Sequence, residues 1–245
     1  MQTDFDRHYH GSWAKKALFL EETASTNKVL LDSNFASGDI ASAVFQTAGR
    51  GRTGRSWQSA HGDSLMFSVV LPEIKADKLM GAQIVAAYAA SAALAPYAPV
   101  RVKWPNDLVI DGKKLGGLLI ETRFSGSRLE KAVLGIGINI KKAPEGLEAA
   151  FLDAYCTPPP GGRLLAEILG ELERFYTAYL SGALAIEPLW EDYSANSGKE
   201  VSFHLGGKKV KGRELGIDSY GRLIAEYEGE RRIITEVDAG HDFNL

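Results

Sequence analysis

Apolar positions change their spacing several times along the chain, and each change marks an element. Over 26–36, Val29, Leu30 and Phe35 recur at helical spacing behind Ser25 or Thr26 as N-cap, which predicts an amphipathic helix. Residues 43–45 and 65–71 are short apolar runs that predict strands, the second stopped by Pro72. A polar, glycine-rich loop over 47–63 separates them. Residues 77–97 are Ala-rich and begin at Asp77, which predicts a buried helix; Ser91 and Pro96 interrupt it, and it is short for a membrane span. Residues 100–103, 108–110, 115–121 and 132–140 read as strands. Asp111-Gly112 marks a hairpin between two of them, because both residues tolerate positive φ. A Pro-rich loop over 157–162 leads into a helix over 164–180, with a last helix over 187–193.

After Asn196-Ser197-Gly198 only short strands remain, over 201–205, 209–217, 223–227 and 231–237. Their turns are Gly206-Gly207, Tyr220-Gly221 and Glu228-Gly229. This turn spacing predicts a small β-barrel. The expected fold class is α+β: a mixed-sheet domain over 1–196 followed by a barrel domain over 197–245.

Composition narrows the function classes. At 245 residues, 45% hydrophobic and 24% charged, the chain is ordinary globular protein and long enough to bury a core without staples. With 28 basic and 31 acidic residues the net charge is −3, which disfavours generic nucleic-acid binding. The single Cys156 has no disulfide or metal-cluster partner, which fits a reducing cytoplasm. Asp4, Asp6 and Arg7 precede any apolar run, unlike a signal peptide, so a cytoplasmic location is expected. None of the five histidines has metal-ligand spacing, and no metal ligand is assigned.

Four segments carry chemistry. In the loop, Gln46 precedes Gly49-Arg50-Gly51-Arg52-Thr53-Gly54-Arg55-Ser56-Trp57. Glycines admit a ligand close to backbone amides, arginine forks match phosphate or carboxylate oxygens, and Trp57 offers a stacking face. A solvated basic loop with a core Trp also accounts for this composition. The G-x-G-x-x-G spacing of Gly49, Gly51 and Gly54 does not make a dinucleotide site, because Ser56 to Asp63 opens no helix. No P-loop or kinase motif is present. Second, Lys103-Trp104-Pro105-Asn106-Asp107 and Lys113-Lys114-Leu115-Gly116-Gly117 flank the predicted hairpin, whose antiparallel strands keep Lys114 close to the first run. An inward lysine needs an anion, whereas exposed hairpin lysines are equally ordinary. Third, alternating glycines in Gly135-Ile136-Gly137-Ile138-Asn139 leave room on one strand face, and Asn139 is either a base-edge partner or a turn residue. Fourth, Ser25-Thr26-Asn27 opens a helix with hydroxyls and free amides, suited to a small polar head group or to plain N-capping.

In their order and spacing these segments resemble the biotin protein ligases, also called biotin–[acetyl-CoA-carboxylase] ligases, over about residues 18–240. The resemblance implies a mixed-sheet catalytic domain, a small SH3-like barrel, and two reactions. Biotin and ATP form biotinyl-5′-AMP and pyrophosphate; biotin then passes to one lysine of a biotin carboxyl carrier domain. It implies that Ser25, Thr26, Asn27 and Gln46 meet the biotin ring system, with Gly116 and Gly117 beside them. Arg50, Gly51 and Arg52 fold over the carboxylate and α-phosphate, Lys114 touches both, and Arg55 contacts phosphates. Trp57 packs on adenine and Asn139 bonds it; Lys103, Asn106 and Asp107 line the reacting end. Lys114 and Arg52 are the expected catalytic groups, with Asp107 the candidate proton acceptor for the carrier lysine. Mg²⁺ accompanies ATP.

Only about seventeen residues precede the first matching strand, too few for the DNA-reading domain of some family members, so no DNA partner is expected. No membrane partner is expected either, and a homodimer is left open. Gly116 stands where many members have alanine, an exchange expected to be minor. Lipoate or octanoate ligases and a non-enzymatic nucleotide-binding module are the rival readings.

Overall fold

The computed structural model describes residues 1–205 and 207–235. The barrel turn at Gly206 and the end of the last predicted strand, 236–237, lie outside the described residues. The first elements are α1 (Gln2–His8), β1 (Ala17–Thr23), α2 (Thr26–Asp32), β2 (Ile40–Gln46) and β3 (Ser64–Val70). Next come α3 (Leu79–Leu94), β4 (Arg101–Lys103), β5 (Asp107–Ile110), β6 (Lys113–Ser125) and β7 (Arg128–Asn139). Two helices, α4 (Gly161–Leu180) and α5 (Trp190–Tyr193), close this part. The strands β8 (Glu200–Leu205), β9 (Lys208–Ile217), β10 (Leu223–Tyr227) and β11 (Glu230–Ile234) follow.

Seven strands form one sheet in the order β1-β2-β3-β7-β6-β5-β4. Only β1 and β2 run parallel, with α2 as their crossover; every other neighbouring pair is antiparallel. A mixed sheet with helices is therefore the observed architecture. The last four strands form a separate antiparallel sheet, β11-β10-β9-β8, consistent with a small SH3-like domain.

One face of the large sheet carries α3 and α4. Helix α3 buries residues around its whole circumference, as its all-round apolar sequence predicts. Helix α4 is amphipathic and buries Leu165, Leu169, Leu172 and Tyr176. On the other face α2 covers only part of the sheet, with Leu30, Phe35, Ala41, Val70 and Val133 as a second small core. The rest of that face stays open beside the 47–63 loop, and the cavity lies there.

Several boundaries differ from the sequence reading. Helix α2 stops at Asp32, so Phe35 reaches its core through a turn closed by Phe35 N–H to the Ser33 carbonyl (2.9 Å). Before α3, residues Ala76–Lys78 form a 3₁₀ turn. The β6–β7 hairpin continues past Glu121 to a turn at Gly126, which has φ of 57°. Its outer positions are mostly polar and exposed, and Arg123 and Lys131 reach from them to the Leu30, Leu31 and Ser33 carbonyls at the end of α2. α5 covers one turn only, because Glu187 to Trp190 is a tight turn. Helix α1 was not foreseen, since Phe5 is its one buried residue.

The two sheets are joined by specific bonds. Trp104 Nε1–H donates to the Gly221 carbonyl at 2.9 Å. Gly221 has φ of 82°, and an added Cβ would lie 3.0 Å from the Gly81 backbone, so this turn admits glycine alone without strain. Trp190 Nε1–H and the Ser194 hydroxyl both donate to Oε1 of the fully buried Glu214. Ser194 also bridges Val102 in β4.

Candidate functional site

A cavity of about 640 Å³ opens between α2, the 47–57 loop, β6, β7 and the β4–β5 turn. Fourteen of the sixteen residues singled out from the sequence line it; Gly116 and Asn139 do not.

The α2 wall is a chain of neutral hydrogen bonds. Thr26 N–H donates to Gln46 Oε1 at 2.7 Å. The Thr26 and Ser68 hydroxyls lie 2.7 Å apart, and Ser68 donates to Asn27 Oδ1 at 2.6 Å. The Thr26 hydroxyl also lies within donating reach of Gln46 Oε1 (3.2 Å), so its one proton is shared between Gln46 and Ser68 as acceptors. Asn27 Nδ2–H then donates to Glu121 Oε2 at 2.8 Å and to the Leu119 carbonyl at 3.3 Å. Ser25 caps α2 without a side-chain bond to its backbone, which leaves the helix N-terminus facing the cavity with its hydroxyl uncommitted to capping.

The loop is a small hairpin. Trp57 N–H bonds the Gly49 carbonyl, Gly51 N–H bonds the Arg55 carbonyl, and Arg50 pairs with Ser56. Its tip is a 3₁₀ turn at Arg52–Gly54, where Thr53 takes a positive φ of 52°. Two arginines tie the hairpin to the walls: Arg50 Nη1–H to Glu121 Oε1 (2.7 Å) and Arg52 Nη1–H to Asn106 Oδ1 (3.2 Å).

The cavity end that holds Lys103, Asp107 and Lys114 is built by strand register. Lys103 pairs with Asp107 across β4 and β5, and Asp107 pairs with Gly117 on β6. The bend between Lys103 and Asp107 contains a cis Trp104–Pro105 peptide. Asn106 exchanges bonds with Leu118, Nδ2–H to the carbonyl and carbonyl to N–H, both at 2.9 Å. Lys114 Nζ lies 2.6 Å from Asp107 Oδ1. Burial pulls the Lys103 amine below the usual lysine range; the Asp107 carboxylate opposes this and Lys114 adds to it. Around the rim and walls stand six cationic side chains against four anionic ones, so the cavity favours anions.

Three readings are corrected by the geometry. The room left by the alternating glycines is taken by the protein itself: a Cβ at Gly135 would lie 2.5 Å from Asn27 Oδ1, and one at Gly137 2.7 Å from the Trp57 ring. Asn139 is buried behind the cavity; its Nδ2–H donates to the Ala150 carbonyl (3.1 Å), while its Oδ1 is buried without a partner. Gly116 is not a neutral position, since a Cβ there would meet the Gly137 carbonyl at 2.6 Å. Two residues escaped the sequence reading, Ser68 and Glu121. The signal for Ser68 was a polar residue inside an otherwise apolar strand; that for Glu121 was an acid continuing the alternation of Gly117 and Leu119.

Comparison with known proteins agrees with this layout. Residues 19–139 match the Biotin/lipoate A/B protein ligase family and 197–237 match the Biotin protein ligase C terminal domain. The chain is 32% identical over 226 residues to the bifunctional ligase/repressor BirA of Bacillus subtilis, covering 87% of this chain and 70% of that protein. To the biotin–[acetyl-CoA-carboxylase] ligase of Mycobacterium tuberculosis it is 30% identical, covering 94% and 91%. The solved biotin protein ligase from Aquifex aeolicus in complex with biotin and ATP superposes with a TM-score of 0.79 at 27% identity, over 91% of this chain and 97% of that one. Matches at both ends of the chain and near-complete coverage of the mycobacterial relative lead to one conclusion: the chain belongs to the biotin protein ligase family.

Proposed function

We propose that this protein joins biotin to ATP as biotinyl-5′-AMP, releasing pyrophosphate, and then passes biotin to a lysine of a biotin carboxyl carrier domain such as that of acetyl-CoA carboxylase. The observation that carries this reading is the union, in one cavity, of a neutral hydrogen-bonding wall and a cationic end. The Gln46–Thr26–Ser68–Asn27 chain suits a ureido head group, which needs matched donors and acceptors. A lipoyl ring lacks those groups, so the wall favours biotin over lipoate.

Adenylation brings two anions together, the biotin carboxylate and the ATP α-phosphate. Arg50, Arg52 and Lys114 offset this charge where it builds up. ATP enters as its magnesium complex, so Mg²⁺ is part of the substrate; among the described residues no group of three or more His, Cys, Asp or Glu is placed to hold a metal. Arg55 takes phosphate oxygens and Trp57 offers its ring to adenine. Asn139, buried and outside the cavity lining, is left out of the base contacts. Closure of the loop keeps water from the mixed anhydride.

Transfer needs a neutral amine, and only roughly 0.1% of a free lysine is neutral near pH 7.4. Asp107 accepts the proton. It is paired with Lys114 before reaction and is released when the acyl phosphate engages that lysine. Residues 1–196 form the catalytic unit and 197–245 the barrel unit, as the separate sheets support. The net charge of −3 supports leaving DNA out of the partners of this chain. No helix among the described residues is long and apolar enough to cross a membrane.

The test is incubation with biotin, Mg·ATP and a carrier domain, read by intact mass. One biotinyl group on the carrier is the expected product. An unmodified carrier, or exchange of pyrophosphate driven by lipoate rather than biotin, overturns the reading.

A further inference from the structure

Of the four cavity carboxylates the mechanism uses only Asp107; Asp111 and Glu148 are exposed, which leaves Glu121 as the one partly buried carboxylate without a task. Glu121 shares the period-two face of β6 with Gly117 and Leu119, and all three line the cavity. Its side chain is only 19% exposed, whereas Arg50 is half exposed. Each oxygen has its own partner: Oε2 accepts from Asn27 Nδ2 at 2.8 Å and Oε1 from Arg50 Nη1 at 2.7 Å. Asn27 belongs to the fixed α2 wall, while Arg50 belongs to the hairpin that has to admit substrate.

The geometry points to Glu121 as a positioning residue that fixes Arg50, and through it the arginine–glycine hairpin, against the wall that takes the biotin head group. A freely exposed ion pair would contribute little. Here the carboxylate is mostly buried and oriented from behind by Asn27, so its direction is set before substrate arrives. Arg50 spends one of its five N–H donors on Glu121 and keeps the others for substrate oxygens. An arginine already held at one edge loses less side-chain freedom when it engages a ligand. The bond to Asn106 ties Arg52 near the tip, so Glu121 and Asn106 anchor the hairpin to opposite walls. This assignment rests on the ligase reading for what the hairpin covers, but not for the tie itself.

Two measurements on the full chain decide it. Glu121→Gln keeps the volume and an oxygen for Asn27 while removing the charge that Arg50 meets. Without substrates, trypsin should cut after Arg52 and Arg55 about two- to fivefold faster in Glu121→Gln than in the parent, with the melting temperature held within about 2 °C. An unchanged cutting rate overturns the proposal. In biotin-dependent pyrophosphate exchange, Glu121→Gln should raise KM for biotin by a similar factor in the parent and add nothing in an Arg50→Ala background. Equal effects in both backgrounds overturn it, because a merely structural residue would act regardless of Arg50. A parent enzyme without biotin-dependent exchange would refute the ligase reading, and the trypsin comparison would still decide the role of Glu121.

Discussion

On the α2 wall Thr26 and Asn27 are each 4% exposed and Ser68 is fully buried, whereas at the reacting end Lys114 keeps 45% of its side chain in solvent. The first group has its donors and acceptors already matched to one another. The second carries charge held only by a partner of opposite sign. Neutral dipoles can be buried and ordered in advance, because each is satisfied by a neighbour. Cations awaiting an anion stay hydrated and exchange partners when it comes. One cavity thus combines a wall that selects by shape and hydrogen bonding with an end that answers to charge.

The contrast breaks most sharply at Lys114. Lys114→Ala should lower biotin-dependent pyrophosphate exchange by about 10²–10³, the usual loss when a donor to developing negative charge is removed. Its half-exposed side chain packs little, so thermal melting should hardly move. Normal exchange by this variant would remove Lys114 from the chemistry. Next in size is Arg52. Losing its charge-assisted contact should weaken retention of biotinyl-AMP by about tenfold or more. Arg52→Gly should therefore make adenylate that escapes and labels bystander serum albumin; labelling no stronger than the parent's, at measurable adenylation, would deny Arg52 that role. On the opposite wall, Thr26→Val keeps the shape but removes the hydroxyl that bonds Ser68 and Gln46. It should raise KM for biotin by about tenfold with kcat nearly unchanged. A fall in kcat at constant KM would show that this wall takes part in chemistry and is not purely selective.

The smallest effect is expected away from both walls. Burial raises the Glu214 carboxyl above the usual range, outweighing the bonds from Ser194 and Trp190 that oppose it. The folded state then holds this proton more tightly than the unfolded chain does. Its contribution to stability is full below the unfolded value of about 4.3 and is lost as pH rises through the raised one. Glu214→Gln keeps an oxygen acceptor and carries no charge, so it should flatten that part of the stability–pH curve. Denaturant melts at several pH values above 4 would check this, with KM for biotin and exchange rates serving as controls. An identical slope in both proteins would count against the shift.

The reacting end was legible in the sequence because its residues are contiguous. Lys103, Asn106 and Asp107 sit in one turn, and the Asp111-Gly112 hairpin returns Lys114 to them. The α2 wall was only half legible. Ser68 lies 41 residues from Asn27, and Glu121 lies 94 residues from it, so only the sheet order brings them together. That order, with β7 inserted between β3 and β6, leaves no local trace in the sequence. The glycines of β7 were noticed, but the groups filling the space above them come from distant parts of the chain. The buried strands β3 and β7 and the helices α3 and α4 were found nearly whole, whereas β1 was not read from the pattern, β2 was cut to 43–45, and α1 and the outer β6–β7 hairpin were missed or shortened.

The bond from the Trp104 indole to the Gly221 carbonyl has a consequence for synthesis. Its acceptor is made 117 residues after its donor. At roughly 5–20 residues per second, the ribosome leaves that indole waiting for about 6–23 seconds. During this interval a nascent chain can hold most of the large sheet while the bend bearing Lys103 and Asp107 still lacks its outer support. The Lys103–Asp107 bend therefore gains this support only once residue 221 has been made, and fragments stalled before it should fold the α2 wall of the cavity without a fully braced bend.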